Sequence, residues 1–187
     1  MRKRRLFSAL IFAVPVVLAA ATFAVAGDSG RRDFRADTFT GYQEAPAIST
    51  PASGSFEARL NSAGDEISYT LTYRDLEAPV TQAHIHFGQR DVTGGISVFL
   101  CSNLGNGPAG TQACPPSPAT VTGTFTAASI VGPAGQGLTT GEFEELVRAI
   151  RAGMTYANVH STKFPGGETR GQINDRDQRL NQNNDDD

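Results

Sequence analysis

Ser55-Phe56-Glu57-Ala58-Arg59-Leu60 alternates polar and apolar residues without a break, and Ile67-Ser68-Tyr69-Thr70-Leu71-Thr72-Tyr73 does so again shortly after it. A β-strand sends successive side chains to opposite faces, so each run can bury one face and wet the other. On a helix the same apolar residues would scatter around the axis. Asn61-Ser62-Ala63-Gly64-Asp65 lies between the runs. Asn, Ser and Asp bond their own backbone and Gly accepts positive φ, so this stretch is turn chemistry and the two runs form a hairpin. Shorter runs of the same kind are Phe34–Phe39, Ala83–Phe87, Ile96–Leu100, Ala119–Thr126, Thr155–His160 and Glu168–Ile173. Many short strands with turns between them predict a mostly β domain, an antiparallel Greek-key β-sandwich or barrel.

One stretch breaks the period of two. Phe143, Leu146, Val147 and Ile150 recur at i, i+3, i+4 and i+7 and predict one amphipathic helix near residues 140–152. Thr139 followed three residues later by Glu142 reads as a capping box at its start. Gly153 suits the left-handed residue that closes a helix. Ala127-Ala128-Ser129-Ile130 reads as a short helical turn.

The ends carry a different signal. Met1-Arg2-Lys3-Arg4-Arg5 precedes an apolar run from Leu6 to Val25 that closes on Ala24-Val25-Ala26. A basic start, an apolar middle and a small-x-small exit predict a secretory signal over residues 1–26, with a linker over 27–33. Left uncleaved, the run is long enough to anchor the chain in a membrane; Pro15 and the Ala-x-Ala site favour cleavage after Ala26. The segment holds four of the 16 basic residues and none of the 19 acidic ones, so the remaining chain has a net charge of about −7. An acidic chain without a basic cluster argues against nucleic acid, whose binding begins with phosphate neutralisation. The expected location is secreted, periplasmic or envelope, and the expected partner an extracellular or envelope protein. Residues 175–187 are rich in Asp and Asn and hold one large apolar residue, Leu180. They read as a disordered acidic tail, because they cannot bury enough apolar surface to offset the entropy of ordering. Cys101 and Cys114 are the two cysteines. In an oxidising compartment they read as a disulfide closing a Gly/Pro/Asn-rich loop, not as a redox pair.

Residues that could carry chemistry are few. His84 and His86 stand two apart on a strand and share a face, and His160 ends another strand. If those strands are neighbours, three imidazoles converge into a site suited to copper or zinc. The competing reading makes the histidines part of a structural polar network with Glu168 and Arg170, which share a strand face after the Phe164-Pro165-Gly166-Gly167 turn. The two readings part on geometry, since a metal site needs all three rings to face one point. No Gly-x-Ser-x-Gly elbow, phosphate-binding loop or paired-carboxylate pattern is present, which argues against an enzyme.

Four ordered motifs are familiar. They are Phe39-Thr40-Gly41-Tyr42-Gln43-Glu44-Ala45-Pro46 with the following Thr50-Pro51-Ala52-Ser53-Gly54-Ser55-Phe56; Ala83-His84-Ile85-His86-Phe87-Gly88; Asn158-Val159-His160-Ser161; and Pro165-Gly166-Gly167-Glu168-Thr169-Arg170-Gly171-Gln172-Ile173. Together they resemble the CHRD domain, the module repeated in chordin and found alone in secreted bacterial proteins, over residues 34–174. The Cys101–Cys114 loop looks like an insertion in that pattern. The resemblance implies an immunoglobulin-like or superoxide-dismutase-like sandwich. In chordin the module belongs to an extracellular antagonist of growth factors. A fainter likeness links Ala83–Gly88 to the copper-binding His-Val-His-x-Phe-Gly strand of copper/zinc superoxide dismutase, and Asn158-Val159-His160 to its last copper-ligand strand. Carried over, His84, His86 and His160 are copper ligands and Arg170 an anion guide. No histidine lies between His86 and His160, so the bridging ligand and the zinc-site histidines of that enzyme have no counterpart. The expectation is therefore a non-catalytic extracytoplasmic module that binds or scaffolds a partner, with no cofactor; the alternative is a copper- or zinc-binding protein with a three-His site.

Overall fold

The computed structural model describes residues 32–174. The segments read as export signal (1–26) and as tail (175–187) lie outside them. Eight strands form: β1 (Asp33–Thr40), β2 (Ser53–Leu60), β3 (Glu66–Arg74), β4 (Val80–Phe87), β5 (Gly95–Ser102), β6 (Ala119–Thr126), β7 (Thr155–Ser161) and β8 (Thr169–Ile173). Every alternating run of the sequence becomes a strand. The hairpin β2–β3 pairs Phe56 with Leu71 and Leu60 with Ile67, which puts both apolar sets on one face.

All strand pairs are antiparallel, in the order β5-β4-β7-β8-β1-β2-β3-β6. The sheet curls on itself, so this mostly β fold has a sandwich- or barrel-like form. Its two edges, β5 and β6, approach without forming a ladder. A bridge between Val98 and Ile130 spans the seam near one end. The Gln112 side-chain amide spans it elsewhere, donating to Leu100 O on β5 at 3.2 Å and to Thr122 O on β6 at 3.0 Å. Edge carbonyls that lack a strand partner thus find one in a side chain. Gln112 is delivered there by the loop that the Cys101–Cys114 disulfide closes, with Cα atoms 5.0 Å apart. In the chain-entropy model such a cross-link is worth ~3 kcal/mol.

The inside of the curl is apolar, with Phe34, Phe39, Phe56, Phe125, Ile67 and Leu71 nearly or fully buried. The helix α1 (Phe143–Arg151) adds Phe143, Leu146, Val147 and Ile150 to this core. Each such side chain contributes ~1.5–3 kcal/mol by leaving water. The helix starts later than the capping-box pattern predicts. Gly141 has φ +87°, outside the helical region, so the chain bends there first. Half of the box survives: the Glu142 carboxylate accepts the Thr139 N–H at 2.7 Å. The other end closes as a Schellman motif, with Gly153 N–H to Ile150 O at 3.0 Å and Met154 N–H to Ala149 O at 2.9 Å.

Candidate metal centre

Every residue of β7 and of β8 is buried, so neither face of the sheet meets water there. Ala157 and Val159 point into the apolar core. Tyr156, Asn158 and His160 alternate with them and line the other face. The register continues this layer sideways. On β4, Gln82, His84 and His86 stand opposite His160, Asn158 and Tyr156. On β8, Arg170 and Gln172 stand opposite Asn158 and Tyr156. Directly opposed residues share a face, so these side chains form one polar layer on the side away from the core.

Loops roof that layer, and its side chains hold the loops down. Asn158 Nδ2 donates to Glu44 Oε1 at 2.7 Å, and Arg170 donates to the carbonyls of Gln43 and, at 2.9 Å, of Val92. His86 Nδ1 donates to Gly94 O and His160 Nδ1 to Pro165 O, each at 3.0 Å. Gln172 Nε2 donates to Gly88 O at 2.9 Å. The Gly167 backbone passes so close that a Cβ there would lie 2.6 Å from Asn158 Nδ2 and 2.8 Å from both Glu44 carboxylate oxygens, at a φ of +131°. A glycine is required at that position.

Among the described residues, His84, His86 and His160 form a cluster whose candidate ligand atoms lie within 4.8 Å of one another, all three residues buried. His84 Nδ1 is 3.1 Å from His160 Nε2. Two nitrogens each ~2.0–2.1 Å from one ion and roughly 100° apart are separated by about that distance. Burial pushes His84 down to about 2, with the neighbouring rings adding to it, and pushes His86 and His160 down to about 4. All three rings are therefore neutral at pH 7. A carbonyl oxygen can only accept, so the Nδ1 atoms of His86 and His160 carry the protons and their Nε2 atoms are bare lone pairs. Backbone carbonyls holding Nδ1–H in this way are the usual outer support of a histidine that ligates through Nε2. Nε2 of His84 and Nε2 of His86 are buried without any hydrogen-bond partner. Orphaned acceptors of this kind are costly and cluster at sites that bind something.

Glu168 and Arg170 make their hydrogen bonds to loops and not to the histidine rings. Glu168 Oε1 accepts from Thr50 Oγ1 at 2.9 Å and from the Glu77 N–H at 2.7 Å. These bonds tie it to loops, because it sits at the start of β8, beside the chain entering β2 and β4. Arg170 makes no hydrogen bond to a histidine; its charge acts on His86, and it packs against that ring through Tyr156, with the guanidinium 4.3 Å from the Tyr156 centroid and the same ring stacked on His86 at 4.8 Å. Three residues of the layer escaped the sequence reading. Glu44 is the most telling: its carboxyl is pushed up to about 7 by burial, against the opposing pull of Arg170 and Asn158. It lies inside the first of the four ordered motifs, which was a signal. Tyr156 and Asn158 are in phase with His160 on one strand; Asn158 also opens the third ordered motif, whereas for Tyr156 that phase was the only sign.

A family model for the CHRD domain matches residues 36–173. The chain belongs to the CHRD family. No curated protein and no solved structure matches it. In this CHRD domain the four ordered motifs meet at one place, the polar layer: Glu44 from the first, His84 and His86 from the second, Asn158 and His160 from the third, Gly167 and Arg170 from the fourth. A surface groove of about 680 Å³ lies elsewhere, lined by Arg35, Glu57 and Arg59 on the outer face of β1 and β2. It contains none of the motif residues named above.

Proposed function

We propose that this CHRD domain is an extracytoplasmic metal-binding module that holds one copper or zinc ion on His84, His86 and His160. The observation that carries the reading is the set of three neutral, buried imidazoles, with His84 Nδ1 and His160 Nε2 at ligand spacing and the Nε2 of His86 bare and without a partner. Imidazole nitrogen suits both metals. The basic-apolar-small opening of the chain and the disulfide support a location outside the cytoplasm. Among the described residues no helix is long and apolar enough to cross a membrane. When bound, the ion would supply Lewis-acid or redox capacity; the chain's own residues hold the rings in place and burial keeps them neutral, and the one proton shared between His84 Nδ1 and His160 Nε2 would leave as the ion enters. The test is metal content after purified protein is offered copper or zinc and dialysed. About one ion per chain, lost in a His84→Ala/His160→Ala variant that keeps its β circular dichroism, is expected. No retained ion sinks the reading.

A second reading follows from CHRD membership, which suggests a binding or scaffolding module. Tyr42 is 73% exposed and Val92 40% exposed. They adjoin Gln43 in the first loop and lie in the second loop that Arg170 pins. A rigid, exposed aromatic on an anchored loop is suited to contact a protein partner. Loss of partner capture in a Tyr42→Ser variant with unchanged metal content would assign binding to this rim.

A further inference from the structure

The identity of the ion is written in the charges around the three rings, and the argument rests on the metal-binding reading above. We infer that the site selects the monovalent, soft cation Cu(I) over Zn(II).

The ligand set is electrically neutral. Three imidazoles make up the cluster, with no carboxylate or thiolate among them. An ion seated there keeps its whole charge. His84, His86 and His160 are 0%, 7% and 5% exposed, so water does little to screen that charge. The cost of taking an ion out of water grows with the square of its charge, so a divalent ion is penalised about four times as heavily as a monovalent one. The nearby charged side chains do not repair this. Arg170 is a cation stacked on Tyr156, and Glu44 is a carboxyl bonded to Asn158. Their charges oppose each other, and neither is bonded to a ring of the cluster. Among the described residues, no carboxylate joins the three rings to neutralise a second positive charge.

Ligand number points the same way. Zn(II) takes four ligands, all from the protein in structural sites, or three with a water or substrate in the fourth position in catalytic ones, so three buried rings alone leave it one ligand short. The described residues offer three, and no further His, Cys, Asp or Glu joins the group. Cu(I), a filled-shell d¹⁰ ion of low charge, forms stable three-coordinate complexes. The walls are aromatic: Phe99 meets His84 edge to face with centroids 4.4 Å apart, and Tyr156 stacks on His86 at 4.8 Å. Such walls favour a weakly hydrated cation over a strongly hydrated one.

The experiment is a pair of competition titrations on the purified full chain at pH 7 without oxygen. Cu(I) is competed against bicinchoninate, and Zn(II) against a chromophoric chelator. Cu(I) is expected to bind with a Kd at least about 100-fold smaller than that of Zn(II), which is about 2.7 kcal/mol. Equal or tighter Zn(II) binding overturns the inference while leaving a metal site. Failure of both ions to bind overturns the inference together with the reading beneath it. A ligand variant could lose its fold, so the second arm uses Gln82→Glu. Gln82 stands opposite His160 and accepts from Asn106, a bond a carboxylate can keep. The added negative charge should narrow the Cu(I)-to-Zn(II) ratio by at least about 10-fold. An unchanged ratio overturns the charge argument.

Discussion

β2 and β3 are wet on one side: Phe56, Ala58, Leu60, Ile67, Tyr69, Leu71 and Tyr73 are buried, while Glu57, Arg59 and Ser68 are exposed. β7 and β8, in the other half of the same sheet, are buried on both sides. Both halves place the same kind of apolar residue in the core, so both gain from the same burial. They differ in what the outward residues meet. On β2 the outward Arg59 pairs with Asp33 across β1, and both are exposed. Such a pair contributes little. On β7 and β8 the outward Asn158, His160, Arg170 and Gln172 meet loop carbonyls and a carboxylate in place of water. A polar side chain at an outward strand position is thus weak evidence of solvent. Where a loop can fold over it, it becomes the loop's anchor, and its lost hydration must be returned bond by bond. The half that solves this problem also holds the unpartnered nitrogens.

The largest expected difference between the halves is in their response to acid. The buried histidines of the second half titrate below their ordinary value of 6.5, at about 2 for His84 and about 4 for His86 and His160. The unfolded chain therefore binds more protons than the folded one below pH 6.5, and stability is full above that pH and is lost as the pH falls towards 4. Glu44 acts in the opposite sense, since its carboxyl is raised from 4.5 to about 7 and its folded form holds the proton longer. Three groups against one leave a net loss of about 2–3 kcal/mol per pH unit at the steepest point. Denaturant midpoints of the metal-free protein between pH 7 and pH 4 should show it. A flat profile would mean that the rings are not held neutral and would erase the contrast.

Phe56→Ala tests the other half. Phe56 is 1% exposed, and the cavity left behind should cost ~3–5 kcal/mol. Metal content of the folded fraction should not change, because Phe56 faces the apolar side and the ligands face the polar one. A stoichiometric loss of metal on this substitution would show that the halves are coupled.

Gln112→Ala probes the seam between them and carries the smallest effect. It removes the donor to Thr122 O, the second donor to Leu100 O, which keeps the Tyr69 hydroxyl at 2.8 Å, and the contact with that hydroxyl at 2.9 Å. A loss of ~1–2 kcal/mol is expected from those bonds, with faster amide exchange confined to β5 and β6. Unchanged exchange at both edges would mean that the other contacts across the seam, the Val98–Ile130 bridge and the Tyr69 hydroxyl bond to Leu100 O among them, hold it without Gln112.

The sequence by itself determined the strands, the helix and the staple. Alternation in Ser55–Leu60 and Ile67–Tyr73, the i, i+3, i+4, i+7 stripe ending in Ile150 and the lone cysteine pair are local patterns, and the forces that act on them are local: pleat, helical period and turn conformation. It also placed His84 and His86 on one face. It did not place His160 beside them, because β4 and β7 are far apart in the chain, and the curl alone makes them neighbours. Nor did it show Glu44, Asn158 and Arg170 as buried. By pattern alone, Asn158 and Arg170 sit at outward positions, and Glu44 lies in a loop. Only the tertiary structure decided that the loops close over that face, since closure depends on bonds between residues more than a hundred positions apart, such as Asn158 to Glu44. That closure removes water from the histidines, and the removal of water sets their charge.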